Sequence, residues 1–119
     1  MLHHVSLEVP DAEIRRTIEF WGLLGFRQIE PPGPISPYVT WLERGPNQIH
    51  LIHTDAATVP PLGHAALVAE DFDATLARLA DAGFEVEDHE QLWGQPRSFA
   101  IAPAGHRVEL MAAPPQPSS

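Results

Sequence analysis

The sequence contains no cysteine and no lysine among its 119 residues. Without cysteine there are no disulfides, no thiol nucleophile and no thiolate ligands for a metal. Without lysine, Schiff-base and pyridoxal-phosphate chemistry are excluded, because both need a side-chain amine. The chemistry open to this chain must therefore come from His, Asp, Glu, hydroxyl groups or a bound metal ion.

Positive charge and long apolar runs are also scarce. Seven basic residues, all arginine, stand against 16 acidic ones, and the formal net charge is -9. This balance argues against nucleic acid or an anionic membrane as a partner, since both attract basic surfaces. The apolar runs are too short to span a membrane, and no signal-peptide pattern is present, so we expect a cytoplasmic protein. Histidine, by contrast, is plentiful, with seven residues.

The chain contains an internal repeat. The segment that starts at His4, HVSLEVPDAEIRRTIEFWGLLGF, resembles the one that starts at His64, HAALVAEDFDATLARLADAGF. Each begins as an alternating strand, continues with apolar residues at helical spacing and ends at Gly-Phe. Asp11 and Asp71 are predicted helix N-caps, and the two Gly-Phe pairs supply the left-handed residue that often ends a helix.

The second halves of the two copies match as well. YVTWLERGPNQIHLI and RSFAIAPAGHRVELM each read as two strands around a glycine-containing turn. The sequence therefore predicts two βαβββ modules in one domain. The predicted boundaries are 1–113 for the domain, about 2–53 and 63–112 for the modules, 54–63 for the linker and 114–119 for a disordered tail.

Alternation along a strand assigns each side chain to one of two faces. In the first strand, His3 falls with Val5 and Leu7 on the apolar face and is predicted to pack under the helix. His4 and Ser6 fall on the opposite face. The two neighbouring histidines therefore have different predicted roles.

Four residues that can bind a metal occupy equivalent places in the repeat. His4 and His64 stand on the first strands, and His50 and Glu109 stand on the last strands, each opposite the aliphatic face. Strands that curl around a shared concavity would bring the four together. Three imidazoles and one carboxylate suit a borderline divalent ion such as Zn, Ni, Fe or Co, at ligand distances of about 2.0–2.2 Å.

Three aromatic residues and one hydroxyl are candidates to line a substrate pocket. Trp41 and Phe99 precede the last strands at similar distances, and Trp93 lies in the segment before Phe99. Ser6 shares a face with His4. The alternatives are that the aromatic residues fill the core and that Ser6 is simply solvated. The other histidines have no repeat partner and are not predicted as ligands: His53, His89 and His106.

The paired modules, with HHVSLEV, QIHLI, GHAALV and HRVELM at their strands, resemble the vicinal oxygen chelate superfamily. That superfamily includes glyoxalase I, bleomycin- and fosfomycin-resistance proteins, methylmalonyl-CoA epimerase and extradiol dioxygenases. The resemblance implies an α+β fold in which two tandem βαβββ modules form a curved, partly closed mixed sheet around a metal-centred cavity. It also implies that His4, His64 and Glu109 occupy the usual ligand positions, with His50 at the fourth.

The resemblance further implies that a divalent ion chelates two neighbouring oxygens of a small substrate and stabilises an enolate-like intermediate. Four protein ligands favour a glyoxalase I-like isomerase or lyase, in which Glu109 is the only ligand able to act as general base. The fourth ligand in bacterial glyoxalase I is a glutamate. Because His50 stands there, glutathione is not the expected substrate.

Two other functions stay open from the sequence. An extradiol-type dioxygenase would use His4, His64 and Glu109 as a two-histidine, one-carboxylate Fe(II) site. Against it stand the additional His50 and Phe99, which replaces the tyrosine of that family and of the fosfomycin enzymes. The other alternative is a non-catalytic, drug-binding resistance protein. For any of these a homodimer is expected, with the site inside one chain or shared by two.

Overall fold

The computed structural model describes residues 1–118, and the chain divides into two units, Met1–Val59 (unit 1) and Pro60–Ser119 (unit 2). Of the predicted tail, residues 114–118 contain neither helix nor strand, and Ser119 lies outside the described residues. No helix within residues 1–118 is long and apolar enough to cross a membrane.

Each unit is a βαβββ module, which confirms the prediction from the repeat. Unit 1 consists of β1 (His4–Val9), a 3-10 turn (Asp11–Glu13), α1 (Ile14–Leu23), β2 (Arg27–Ile29), a second 3-10 turn (Gly33–Ile35), β3 (Val39–Arg44) and β4 (Asn47–His53). Unit 2 consists of β5 (Ala65–Val68), α2 (Phe72–Asp81), β6 (Glu85–His89), β7 (Arg97–Ile101) and β8 (Arg107–Met111).

The strands form two four-stranded mixed sheets, one in each unit, with the orders β1-β4-β3-β2 and β5-β8-β7-β6. In both sheets the first and last strands of the module run parallel as neighbours, and the remaining pairs are antiparallel. The predicted α+β class is therefore correct. The first and last strands of each module lie side by side. His4, His50 and Glu109 stand on these strands, whereas His64 lies one residue before β5 and not on it as predicted.

Both helices end at the predicted glycines, but only one of the two predicted N-cap residues, Asp71, stands at the start of its helix. Both helices end before a glycine with positive φ, at Gly25 (93°) and Gly83 (88°), as predicted. Asp71 stands at the N-cap of α2, but its carboxylate accepts from Arg78 and the Thr75 hydroxyl, and these bonds lower its pKa.

The prediction that Asp11 caps α1 is wrong. Asp11 begins the 3-10 turn that precedes α1, and its own backbone N–H donates to the Asp55 carboxylate at 3.2 Å. The chain enters α1 through that extra turn instead of directly from β1. The proline that follows β1, at Pro10, takes the N-cap position of the turn.

His3 does not pack under α1 as the alternation predicts. β1 begins at His4, so His3 precedes the strand and its side chain is exposed. Its Nδ1 lies 3.0 Å from the Nδ1 of His4. The alternation rule fails here because it holds only for residues inside the strand, and Val9 is the residue that β1 buries completely.

Candidate metal and substrate site

The predicted ligands occupy the same register in both units. In unit 1, His4 comes two residues before the β1 residue that pairs with His50. In unit 2, His64 comes two residues before the β5 residue that pairs with Glu109. The sheet framework thus places one donor pair in each unit at matching positions, although His64 directly precedes β5, whereas His4 is the first residue of β1.

The aromatic candidates obey the same symmetry. Trp41 on β3 is the antiparallel partner of His50, and Phe99 on β7 is the antiparallel partner of Glu109. Directly opposed residues of neighbouring strands share a face of the sheet. Both aromatic rings therefore lie on the same face as the last-strand donors, as the sequence spacing suggested.

In unit 1 the rings form a stack. The His50 ring lies between His4, at a centroid distance of 3.9 Å and an interplanar angle of 17°, and Trp41, at 4.2 Å and 5°. His50 is only 7% exposed. Burial lowers its pKa, and the neighbouring charges of His4 and His3 lower it further. His50 is therefore held as the neutral imidazole that metal binding requires.

Gln48 fixes the tautomer of His50. The two residues share a face of β4, and His50 Nε2–H donates to Gln48 Oε1 at 2.7 Å. In a neutral imidazole only one ring nitrogen carries hydrogen, so Nδ1 keeps the lone pair. A side-chain oxygen that orients a histidine in this way is the usual partner of a metal-binding imidazole.

In unit 2, His64 faces the carboxylate of Glu109. His64 Nδ1 donates to the carbonyl oxygen of Leu62 at 2.9 Å, and because that oxygen can only accept, Nδ1 carries the hydrogen. In the neutral ring, Nε2 then bears a lone pair, and it lies 3.3 Å from Glu109 Oε1. Two lone pairs that face each other repel unless a proton or a cation stands between them.

The second oxygen of Glu109 is bound by Arg97. Arg97 Nη1 donates to Glu109 Oε2 at 3.0 Å, with the two side chains only 13% and 10% exposed. The Arg97 Nε–H donates to the backbone oxygen of Glu90 at 2.9 Å. Sequence reasoning did not assign a role to Arg97, although alternation could have found it, since it lies two residues before Phe99 on the same strand.

Phe99 is buried under polar groups. It is 5% exposed, and the rings of His64 and His89 approach it at centroid distances of 4.9 Å and 4.7 Å. The guanidinium carbon of Arg107 lies 4.3 Å from its ring centroid, and Arg107 also contacts the Glu87 carboxylate at 3.4 Å. His89 is the last residue of β6.

The two remaining pocket candidates lie at the edges of these faces. Ser6 is exposed and pairs with His50 across β1 and β4. Trp93 lies between β6 and β7, and the guanidinium carbon of Arg97 is 5.6 Å from its ring centroid. Within residues 1–118, the buried Trp93 Nε1–H has no hydrogen-bond partner. Neither residue contacts a donor pair directly through an observed hydrogen bond.

The donor chemistry fits a divalent ion. Two ligands that are each about 2.0–2.2 Å from one ion lie roughly 3.0–3.5 Å apart for octahedral or tetrahedral angles. The 3.3 Å between His64 Nε2 and Glu109 Oε1 falls in that range. Residues 1–118 contain no group of three or more His, Asp or Glu side chains placed to hold a metal ion. His4, His50, His64 and Glu109 thus lie as two pairs, one in each unit.

A family model described as the Glyoxalase/Bleomycin resistance protein/Dioxygenase superfamily matches residues 3–100 of the chain. The match extends over most of the sequence, from before β1 into β7 but not β8, and the chain belongs to this superfamily. The resemblance drawn from the strand motifs is thereby confirmed. No curated protein matches the chain in sequence.

Solved structures share the fold at low sequence identity. A glyoxalase family protein from Bacillus anthracis is 22% identical, covers 93% of each chain and has a TM-score of 0.82. The fosfomycin resistance protein FosX from Listeria monocytogenes is 19% identical, covers 96% of this chain and 91% of its own, and has a TM-score of 0.79. The oxidase ChaP-H2 is 18% identical, covers 100% and 98%, and has a TM-score of 0.77. Identities this low establish the fold alone.

Proposed function

We propose that the protein is a metal-dependent isomerase or lyase of the glyoxalase I type. In this proposal a divalent ion (Zn, Ni, Fe or Co) is held by His4, His50, His64 and Glu109. The observation that carries the proposal is the contact in unit 2, where His64 Nε2 faces Glu109 Oε1 across 3.3 Å while His64 Nδ1 donates to the Leu62 carbonyl oxygen. A divalent ion at this point would be bound by both atoms through two coordinate bonds.

Unit 1 supports the same proposal independently. A protonated His64 would also relieve the repulsion in unit 2, but it would explain nothing about the equivalent place in unit 1. There the last-strand donor is His50, whose pKa is lowered by burial and whose tautomer is set by Gln48. His50 is thus a neutral, oriented imidazole of the kind that a metal centre needs. His4 stacks on it nearly parallel, so one of the two rings must turn before both can bind the same ion.

The bound ion would supply Lewis acidity toward two neighbouring oxygens of a small substrate. The chain's own residues then have distinct tasks. Glu109 is the only carboxylate among the four donors and is therefore the proposed general base. To take the proton from the substrate carbon, its Oε1 would have to leave the ion, since Oε2 is held by Arg97. Trp41 stacks on the buried His50 in unit 1, and the buried Phe99 ring contacts His64 in unit 2, so each ring covers part of one donor imidazole.

An ion bound by all four residues must contact both units, because each unit contributes one pair. We propose a homodimer, in which the two units come from one chain or from two. Mixing a His4→Ala/His50→Ala chain with a His64→Ala/Glu109→Ala chain separates these arrangements. After random exchange of the two chains, recovery of about a quarter of the wild-type metal sites indicates a shared site, because half of the dimers are mixed and each mixed dimer has one intact site. No recovery indicates a site within one chain.

A non-catalytic, drug-binding protein is the second candidate, and one observation favours it. Arg97 already neutralises the Glu109 carboxylate, so unit 2 can remain folded with no metal ion bound. An extradiol-type dioxygenase is a third outcome. It would require iron in the purified protein and oxygen consumption with catechols.

Metal analysis of untagged protein tests the proposal. We expect close to one transition-metal ion per site, and a loss of affinity of at least about 100-fold in His64→Ala and Glu109→Ala, since changes outside the ligand set already cost about 10–100-fold. His53→Gln is the matched control, because His53 bonds to the Thr40 hydroxyl on the opposite face of β4. Wild-type protein that takes up no Zn, Ni, Co or Fe would refute the proposal.

A further inference from the structure

We infer that Arg97 is a positioning residue. By binding Oε2 of Glu109, it orients the carboxylate so that the other oxygen, Oε1, faces His64. This inference rests on the proposed function only in taking Glu109 as a metal ligand. The observed contacts on which it stands belong to unit 2 and need no ion. Arg97 itself touches neither His64 nor the place between His64 and Glu109 through an observed hydrogen bond.

Arg97 is anchored at two points, which gives its guanidinium a fixed direction. Nε–H donates to the Glu90 backbone oxygen at 2.9 Å, and Nη1–H donates to Glu109 Oε2 at 3.0 Å. The guanidinium carbon also lies 5.6 Å from the ring centroid of Trp93 and 6.0 Å from that of Phe99. Because the planar guanidinium is held by a backbone acceptor and lies near two rings, it cannot move with the Glu109 carboxylate if that carboxylate rotates.

The consequence for Glu109 is that its two oxygens are no longer equivalent. Rotation of the carboxylate about its terminal torsion would break the 3.0 Å contact between Oε2 and a guanidinium that is 13% exposed. That cost keeps Oε2 on Arg97 and leaves Oε1 toward His64, at 3.3 Å. Glu109 is thus prepared to bind an ion through a single oxygen.

The repeat supplies an internal comparison that supports this role. Arg97 pairs with Met111, two residues after Glu109, and the equivalent pair in unit 1 is Val39 with Ile52, two residues after His50. Unit 1 therefore has an aliphatic side chain where unit 2 has Arg97. This difference between the units follows from their last-strand donors. The His50 imidazole, with its tautomer set, has one ring lone pair, whereas the Glu109 carboxylate has two oxygens and needs a partner to fix which one faces His64.

Arg97→Lys is the decisive variant, because lysine keeps the positive charge and loses the second anchored N–H. Titration with Co²⁺ gives the affinity, and the visible spectrum of the Co²⁺ protein reports the ligand geometry. We expect Arg97→Lys to bind Co²⁺ about 10-fold more weakly, with an altered spectrum. Arg27→Lys is the control, since Arg27 pairs with Glu43 at the surface with its side chain 75% exposed. An Arg97→Lys protein that matches the control in affinity and spectrum would overturn the inference.

A second readout needs no metal. The ¹⁵N resonance of His64 Nε2 in metal-free protein, recorded at about pH 8 where an ordinary histidine is neutral, reports the group that faces this nitrogen. We expect the resonance to move in Arg97→Lys and not in Arg27→Lys. If the wild-type protein binds no Co²⁺, the proposed function fails, and this resonance alone decides the inference: a move supports it, and an unchanged resonance refutes it. If Co²⁺ binds equally well to both variants, the inference fails and the proposed function stands.

Discussion

The two units share a backbone design and differ in the chemistry that they display on it. In unit 1, His50 on the last strand is buried between the rings of His4 and Trp41, and its pKa is lowered. On the site face of unit 2, Glu109 at the equivalent position is paired with Arg97 and faces His64. The difference shows how one repeat can build two kinds of donor site, one neutral and shielded by rings, the other charged and balanced by a counter-ion.

The physical reason lies in the cost of burying each last-strand donor. A buried imidazole becomes neutral by a lowered pKa and then needs only a hydrogen-bond acceptor, which Gln48 provides. A buried carboxylate keeps its charge if a cation lies next to it, and Arg97 is that cation. The following predictions test this contrast between the units.

The largest effect is expected from removing the charge of the unit 2 donor. Glu109→Gln leaves Arg97, which is 13% exposed, without its anionic partner, so we expect the free energy of unfolding to fall by about 3 kcal/mol. Glu43→Gln breaks the Arg27–Glu43 pair, in which Arg27 is 75% exposed, and should cost less than about 1 kcal/mol. Urea unfolding of both variants measures the two losses. Equal losses would show that the buried Arg97–Glu109 pair contributes no more to stability than the exposed Arg27–Glu43 pair.

An intermediate effect is expected from the titration of the unit 1 donor. Because the pKa of His50 is lowered in the folded protein, the unfolded chain binds the proton first as the pH falls through the ordinary value of 6.5. Below that pH the proton therefore favours unfolding, and above it the effect vanishes. Wild-type stability should rise with pH below 6.5 more steeply than that of His50→Gln, by less than about 1.4 kcal/mol per pH unit. Parallel profiles of unfolding free energy from pH 5 to 8 would contradict the assignment to His50.

The smallest effect is expected from the acceptor that orients His50. Gln48→Leu removes the 2.7 Å hydrogen bond between two partly or fully buried side chains and should cost about 1 kcal/mol of unfolding free energy. If His50 is a metal ligand, the same change should also weaken metal binding by about 10-fold, because the tautomer is no longer set. Chemical unfolding and metal titration measure these two effects separately. Gln48→Glu, which keeps an oxygen acceptor, should preserve most of the metal affinity.

The errors of sequence interpretation come from residues at the ends of elements. Strand alternation misplaced His3 because β1 begins only at His4, and the capping pattern misplaced Asp11 because a 3-10 turn intervenes before α1. Alternation and capping rules describe the interior or the ideal end of an element. They do not say where pairing with β4 starts, which is decided by a strand some 40 residues further along the chain.

The sequence by itself determined the two βαβββ modules, the glycines that end both helices, and the strand positions of His4, His50 and Glu109, but it placed His64 on β5, which begins one residue later. These features follow from local periodicity and from the repeat, which the chain carries in full. Only the tertiary structure decided that Arg97 reaches Glu109, that Trp41 and His4 enclose His50, and that Gln48 and Leu62 set the two tautomers. Each of these contacts depends on side-chain rotamers, and most depend also on the register between strands. The spacing of residues along one strand determines neither the rotamers nor the register.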